Sequence, residues 1–250
     1  MTTAPTTTLP AAALQPLPSG FAKGRQSLHQ IAFFAIAPKR YQETGRLGLR
    51  YTGTGFGTPV FGLGEQIRVE DNRIVRQRGD DVRSAPVTTL REACNFLEIP
   101  YREEWFDRFH DPLSPVGADI ALDVDPAVAR ALRAWQEFAR AVLEGARQPG
   151  GLDDDVTELQ LWPEHFDQAF EMGSEGLGRR ASYGASPGDD HHEEPYLYVA
   201  PWLRTERSDP FWNDPSFAGA SLPYGELLRS DRPEELALDF FSRGFSLLAG

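Results

Sequence analysis

Apolar residues recur along this chain at two different periods, and the period marks where helices and strands are expected. Val128, Leu132, Trp135, Phe138 or Ala139, and Val142 fall at helical spacing, behind an Asp125 N-cap and a proline at the first helical position. The pattern predicts a helix over 126–147, ended by Gln148-Pro149-Gly150-Gly151. A shorter helix over 90–98 is expected from the capping pattern Thr89-x-x-Glu92 and the apolar face Leu90, Ala93, Cys94 and Leu97. A third, over 232–248, carries Leu236, Phe240, Phe241 and Leu248.

Alternation of period two marks the strands. Leu47, Leu49 and Tyr51 share one side of a segment over 47–54, and residues 66–69 and 73–77 flank Glu70-Asp71-Asn72 as a hairpin. Further on, Leu159 and Leu161 share a face, Phe166, Phe170 and Met172 share another, and Asp167, Ala169 and Glu171 lie opposite. Residues 181–185 and 196–200 add two more strands around an acidic loop. Leu28 to Ala37 is almost continuously apolar and closed by Pro38; its length and its Ile and Phe content favour a buried strand, with a short helix as the other reading. The short spacing between strands favours hairpins over crossovers, so the expected class is α+β with mainly antiparallel sheet and three principal helices.

The order of parts repeats. Strands, a glycine turn, more strands and Ser84-Ala85-Pro86-Val87 before a helix in the first half correspond to strands, a glycine turn and Ser221-Leu222-Pro223-Tyr224 before a helix in the second. This points to an internal duplication, with halves of about 26–100 and 152–250 joined by the helix 126–147 into one compact domain. Residues 1–25 are expected to form a disordered tail, because the stretch opens rich in Thr, Ala and Pro and lacks the basic start and apolar run of a secretory signal.

Composition narrows the class of partner. At 250 residues with 40% hydrophobic content, the chain can bury a substantial core. The net charge of −12 is uneven: residues 1–110 hold 14 basic and 11 acidic side chains, residues 111–250 hold 11 and 26. This balance disfavours nucleic acid and anionic membranes as partners, and no apolar run is long enough to span a bilayer. A single cysteine, Cys94, excludes an intrachain disulfide and fits a cytoplasmic setting; on an apolar helical face it reads as a core residue.

The candidate chemistry concentrates between Thr157 and Trp202. Asp189, Asp190, His191, His192, Glu193 and Glu194 offer metal ligands within six residues, and Glu164, His165 and Asp167 could join them. Imidazole with carboxylate suits Zn, Mn or Fe, although no spaced ligand motif is present and a solvated acidic loop is the simpler reading. Asp167 and Glu194 lie beside aromatics, where desolvation could raise a pKa for acid–base work; the plainer role is to accept backbone hydrogen bonds. Ser186 sits in Gly184-Ala185-Ser186-Pro187-Gly188, but the strand–turn–helix context of a nucleophile elbow is missing. Trp162, Tyr183, Tyr196, Tyr198 and Trp202 are candidates to line a small-ligand pocket, against the alternative that they form core.

The Ala35-Ile36-Ala37-Pro38 segment, Asn72-Arg73-Ile74-Val75, Arg83-Ser84-Ala85-Pro86, Trp162 with Phe166-Asp167-Gln168-Ala169, Ser186-Pro187-Gly188, Glu194-Pro195-Tyr196-Leu197-Tyr198 and Leu222-Pro223-Tyr224 carry a family resemblance. Through them the chain resembles, almost end to end and more strongly in its second half, an uncharacterised bacterial family known only as a domain of unknown function. The resemblance implies no activity or cofactor. It singles out Trp162, Asp167, Pro187, Gly188, Glu194, Tyr196 and Tyr198, whereas the positions of Glu164 and His165 are often small in that family. Two functional classes stand: an enzyme or small-ligand binder acting near 162–202, or a non-catalytic protein-interaction module using the acidic second half.

Overall fold

The computed structural model describes residues 13–108, 113–147, 155–203 and 208–249. The chain opens with a helical rod: α1 (Phe21–Ile31), a π-helical segment (Ala32–Ile36) and α2 (Ala37–Thr44). Next comes an antiparallel meander of β1 (Arg50–Tyr51), β2 (Gly55–Gly57), β3 (Glu65–Glu70), β4 (Arg73–Arg78) and β5 (Asp81–Pro86), then α3 (Leu90–Phe96) and a 3-10 turn at Glu103–Arg108. The second half repeats the order. α4 (Pro126–Ala146) leads to a meander of β6 (Gln160–Trp162), β7 (Asp167–Met172), β8 (Ala181–Ser186), β9 (Tyr196–Pro201) and β10 (Ala220–Pro223), followed by α5 (Tyr224–Arg229) and α6 (Pro233–Ala249). The architecture is α+β, with two five-stranded antiparallel sheets.

The run 28–37 is helix, not strand. A short apolar run does not distinguish the two by period, and here it continues a helix that already starts at Phe21. It is apolar all round because other elements surround it: Ile31, Phe33, Phe34 and Ile36 share one core with Ile67, Val69 and Ile74 of the first sheet, Leu90 and Leu97 around α3, and Val128 and Leu132 of α4. Pro38 does not end the helix. It has no N–H to give the Phe34 carbonyl, and the Cys94 thiol donates to that carbonyl instead, at 3.4 Å. The wide π turn just before the proline gives the ring room. Residues 21–25, expected in the tail, form the first turns of α1; residues 1–12 lie outside the described residues.

α4 serves both cores. Val128, Ala129 and Leu132 in its first turns face the first core, while Trp135, Phe138, Ala139, Val142 and Leu143 face a second core with Phe170, Tyr183, Leu197, Val199 and Phe241. The halves also meet edge to edge. Leu49 and Leu161, at matching places before or within the first strand of each sheet, exchange backbone bonds of 2.7 and 2.9 Å.

Period two then assigns the faces of the second sheet. Phe170, Met172, Ala181, Tyr183, Leu197 and Val199 point to the core. Asp167, Ala169, Gly184, Ser186, Tyr196 and Tyr198 occupy the opposite face.

Candidate functional site

At the Asp167 end of that outward face, α1, the Pro163–Phe166 turn and the Pro187–His191 loop border a half-open cavity of about 750 Å³. Three strands supply one side of its polar wall. Asp167 stands at the start of β7, Ser186 at the end of β8, and Tyr196 and Tyr198 on β9. Arg25 and His29 project from α1 one helical turn apart, which places both on one face. Glu164, His165 and Phe166 come from the turn before β7.

Asp167 is 5% exposed, and the Tyr198 hydroxyl donates to its Oδ2. Its Oδ1 is buried and has no hydrogen-bond partner. Burial pushes the carboxyl pKa up, against the opposing pull of His165, the Tyr198 bond and the residue's own backbone N–H. The same burial, with the neighbouring carboxylate, drives the Tyr198 phenol well above its usual range, so the phenol keeps its proton and is the donor. Gly184 makes this contact possible. It lies opposite Tyr198 in the sheet, and a Cβ there would fall 2.3 Å from the tyrosine Cζ. Only a residue without a side chain lets the ring lie across β8 toward Asp167.

Glu164 repeats the theme. Its Oε2 is buried without a partner, and burial, followed by the proximity of Asp167, raises its pKa. His29 is the opposite case. Burial pushes its pKa down to about 4, so the ring is neutral at pH 7. Its Nε2 lies 2.8 Å from the Pro163 carbonyl and donates to it, which leaves Nδ1 an acceptor. The ring stacks on Phe166 at 5.1 Å, and Phe166 holds a left-handed backbone (φ 59°) while 2% exposed. That conformation is costly for an aromatic residue and is retained here by packing against His29 and Phe56.

The acidic loop is organised by Asp189. Its carboxylate accepts the His191 and His192 N–H groups at 2.7 and 2.8 Å and the Tyr196 hydroxyl at 2.6 Å. Although burial acts to raise its pKa, these bonds outweigh it and hold the carboxyl below the usual range. Both ring nitrogens of His192 face carboxylates, Asp189 at 3.2 Å and Asp214 at 3.0 Å. Arg25 lies against the loop, 3.5 Å from the Pro187 and Asp189 carbonyls. Gly188, at φ 102°, permits that approach, since a Cβ would sit 2.2 Å from Arg25 Nη1.

Several expected site residues are thus brought together and others are not. Asp167, Tyr196, Tyr198, His165, Asp189 and His191 all line the cavity. Glu194 does not pair with Asp167; it is exposed and lies toward Tyr224 and Gly225. Tyr183 is core, stacked on Phe170, because its strand position points to the other face. Trp162 is half-buried in register with Asp167 but outside the lining. Trp202, 46% exposed, lies near the start of β8 under the Arg180 guanidinium, with its indole N–H 3.4 Å from Ser182. Of the metal candidates, His165, Asp189 and His191 line the cavity and His192 lies beside it; among the described residues no group of three or more His, Cys, Asp or Glu is placed to hold an ion.

Sequence reasoning missed Arg25, which it placed in the tail, His29, which it placed in a strand, and Gln26 between them. The signal was Phe21 and Leu28, seven residues apart, a helical spacing that joins directly onto the apolar run. No helix among the described residues is long and apolar enough to cross a membrane. No protein-family model, no curated protein and no solved structure matches the chain, so what the site does has to follow from its own side chains.

Proposed function

We propose that the protein binds a small polar molecule in this cavity, through hydrogen-bond donors that the ligand presents to Asp167. The observation that carries the reading is Asp167 Oδ1, an acceptor more than nine-tenths buried, without a protein partner, on a cavity of ligand size. Glu164 Oε2 adds an acceptor to the same wall, and Tyr198, already donating to Asp167, offers a lone pair. A wall of acceptors selects a donor-rich partner, an amine or a polyol. Arg25 is the one cationic side chain among the lining arginines and lysines, and its backbone contacts turn it toward the loop.

The concave, partly unsatisfied site favours a small ligand over the flat surface that a protein-interaction module would present. A thermal-shift screen with amines, amino acids and sugars, followed by calorimetry on the best compound, tests the proposal. Asp167→Asn replaces an acceptor oxygen by a donor at nearly constant shape, so it should weaken binding at least tenfold, about 1.4 kcal/mol. Equal affinity in wild type and variant, or hits confined to anionic compounds, would overturn the assignment.

A further inference from the structure

A second cavity, of about 330 Å³, lies where the two halves meet, beside the Leu49–Leu161 backbone pairing. Its charge is opposite to that of the first. Arg40, Arg50, Arg140 and Arg147 line it, against Glu144 and Glu158. Glu144 is already engaged, with its Oε2 3.1 Å from Arg147 Nη2. Arg50 and Arg140 make no ion pair among the described residues.

Arg40 is the unusual member. It is 8% exposed, and its Nε and Nη1 are buried without any hydrogen-bond partner. A guanidinium has five donors in a planar fork and does not lose its charge in a protein. Burial lowers its pKa, and the next influence is the like charge of Arg46, so no carboxylate compensates it. A buried unpaired cation is among the most costly features a fold can hold. The fork matches phosphate and carboxylate oxygens, which accept two parallel N–H bonds.

We propose that Arg40 anchors a binding site for an oxyanion, the phosphate or carboxylate of a small molecule, in the cavity between the two halves. Arg140, from α4, and Arg50, from β1, supply the rim charge, so the ligand would be held by both halves at once. The site is separate from the Asp167 cavity and does not depend on that reading.

The test uses the full chain in low-chloride buffer. Inorganic phosphate, sulfate and citrate are titrated while melting temperature and calorimetric heat are recorded, which separates the phosphate arm from the carboxylate arm. Phosphate and sulfate also raise melting temperatures without a site, through exclusion from the surface, so the expected signal is a saturable shift. Arg40→Met keeps the length and removes the charge. It should abolish the saturable component, lower the affinity at least tenfold, and leave the anion-free protein as stable as wild type or more so. Should that variant not fold, Arg140→Gln decides, because it is exposed and should weaken binding severalfold with the fold intact. The proposal fails if none of the three anions gives a saturable shift. It also fails if Arg40→Met, or in its place Arg140→Gln, binds them as the wild type does.

Discussion

Asp167 should make the protein less stable as pH rises, and the size of that effect follows from proton counting. Its folded pKa is raised by burial, while an unfolded Asp titrates near ~3.9. Between the two values the folded state holds a proton that the unfolded state has lost. Stability is therefore full below the unfolded pKa and falls with increasing pH by up to about 1.4 kcal/mol per unit, until the folded pKa is passed. For a chain of this length that slope corresponds to roughly 3 °C of melting temperature per pH unit. Asp167→Asn removes the term. The stability of wild type minus that of the variant, measured by urea unfolding from pH 4 to 8, should decline at up to this slope and then level off at the folded pKa. Background titrations cancel in the difference. Glu164 does not cancel fully, because it is raised as well and feels Asp167, so Glu164→Gln and the double variant complete the cycle. A flat difference, or one that rises with pH, would refute the reasoning, since a rise is the sign of a carboxylate held ionised by a partner. A saturating cationic ligand should flatten or reverse the slope by favouring the ionised form.

Three further outcomes follow from the same geometry. Gly184→Ala should cost about 1–3 kcal/mol in chemical denaturation and weaken ligand binding along with it, because the added methyl displaces Tyr198 from Asp167; unchanged stability and binding would show that the ring has another place to go. His29, pushed down to about 4, gives stability that is present above the ordinary histidine pKa of 6.5 and is lost as pH falls toward 4; His29→Gln should remove a loss of about 3 kcal/mol across that window, and an NMR titration placing the ring near 6.5 would contradict it. Cys94, whose thiol burial pushes up to about 12, should resist a thiol reagent at pH 8 until denaturant is added, and Cys94→Ala should cost about 1–3 kcal/mol by leaving the Phe34 carbonyl unsatisfied.

Much of the fold was legible because much of it is amphipathic. α4 reads from its cap, its proline and one apolar stripe, and β3, β4, β8 and β9 fall within a residue or two of their expected bounds. The α1–α2 rod was illegible for the opposite reason: neighbours enclose its middle on all sides, so no polar face marks the helical period. Pro38 reinforced the error, since the tolerance for it depends on a thiol 56 residues further on, which no local rule contains. β5 and β10 were missed as strands because Ser84-Ala85-Pro86 and Ser221-Leu222-Pro223 read as helix approaches; both are edge strands, where a terminal proline is tolerated. At the site, alternation placed Asp167 opposite Phe170 correctly. It could not assign Tyr183 and Tyr198 to opposite faces, because that depends on the β8–β9 register, which pairs Tyr198 with Gly184.

The two halves share one order of elements but solve the outward face of their sheets differently, and that difference goes with the cavity on the second. On the first sheet Arg68 pairs with Glu70 at 2.6 Å and donates to Gln77 at 2.8 Å, while Arg73 bonds Ser84 at 2.8 Å, so that face satisfies itself. On the second sheet small residues, Ala169 and Gly184, replace long ones, and the polar groups that remain reach across to loops. Tyr196 goes to Asp189, Tyr198 goes to Asp167, and Asp167 Oδ1 is left over. The remaining wall comes from Arg25 and His29, which belong to the first half. A fragment of residues 152–250 would carry every residue the sequence singled out as chemistry and still lack that wall. The cavity therefore exists only where the helix of one half covers the sheet of the other.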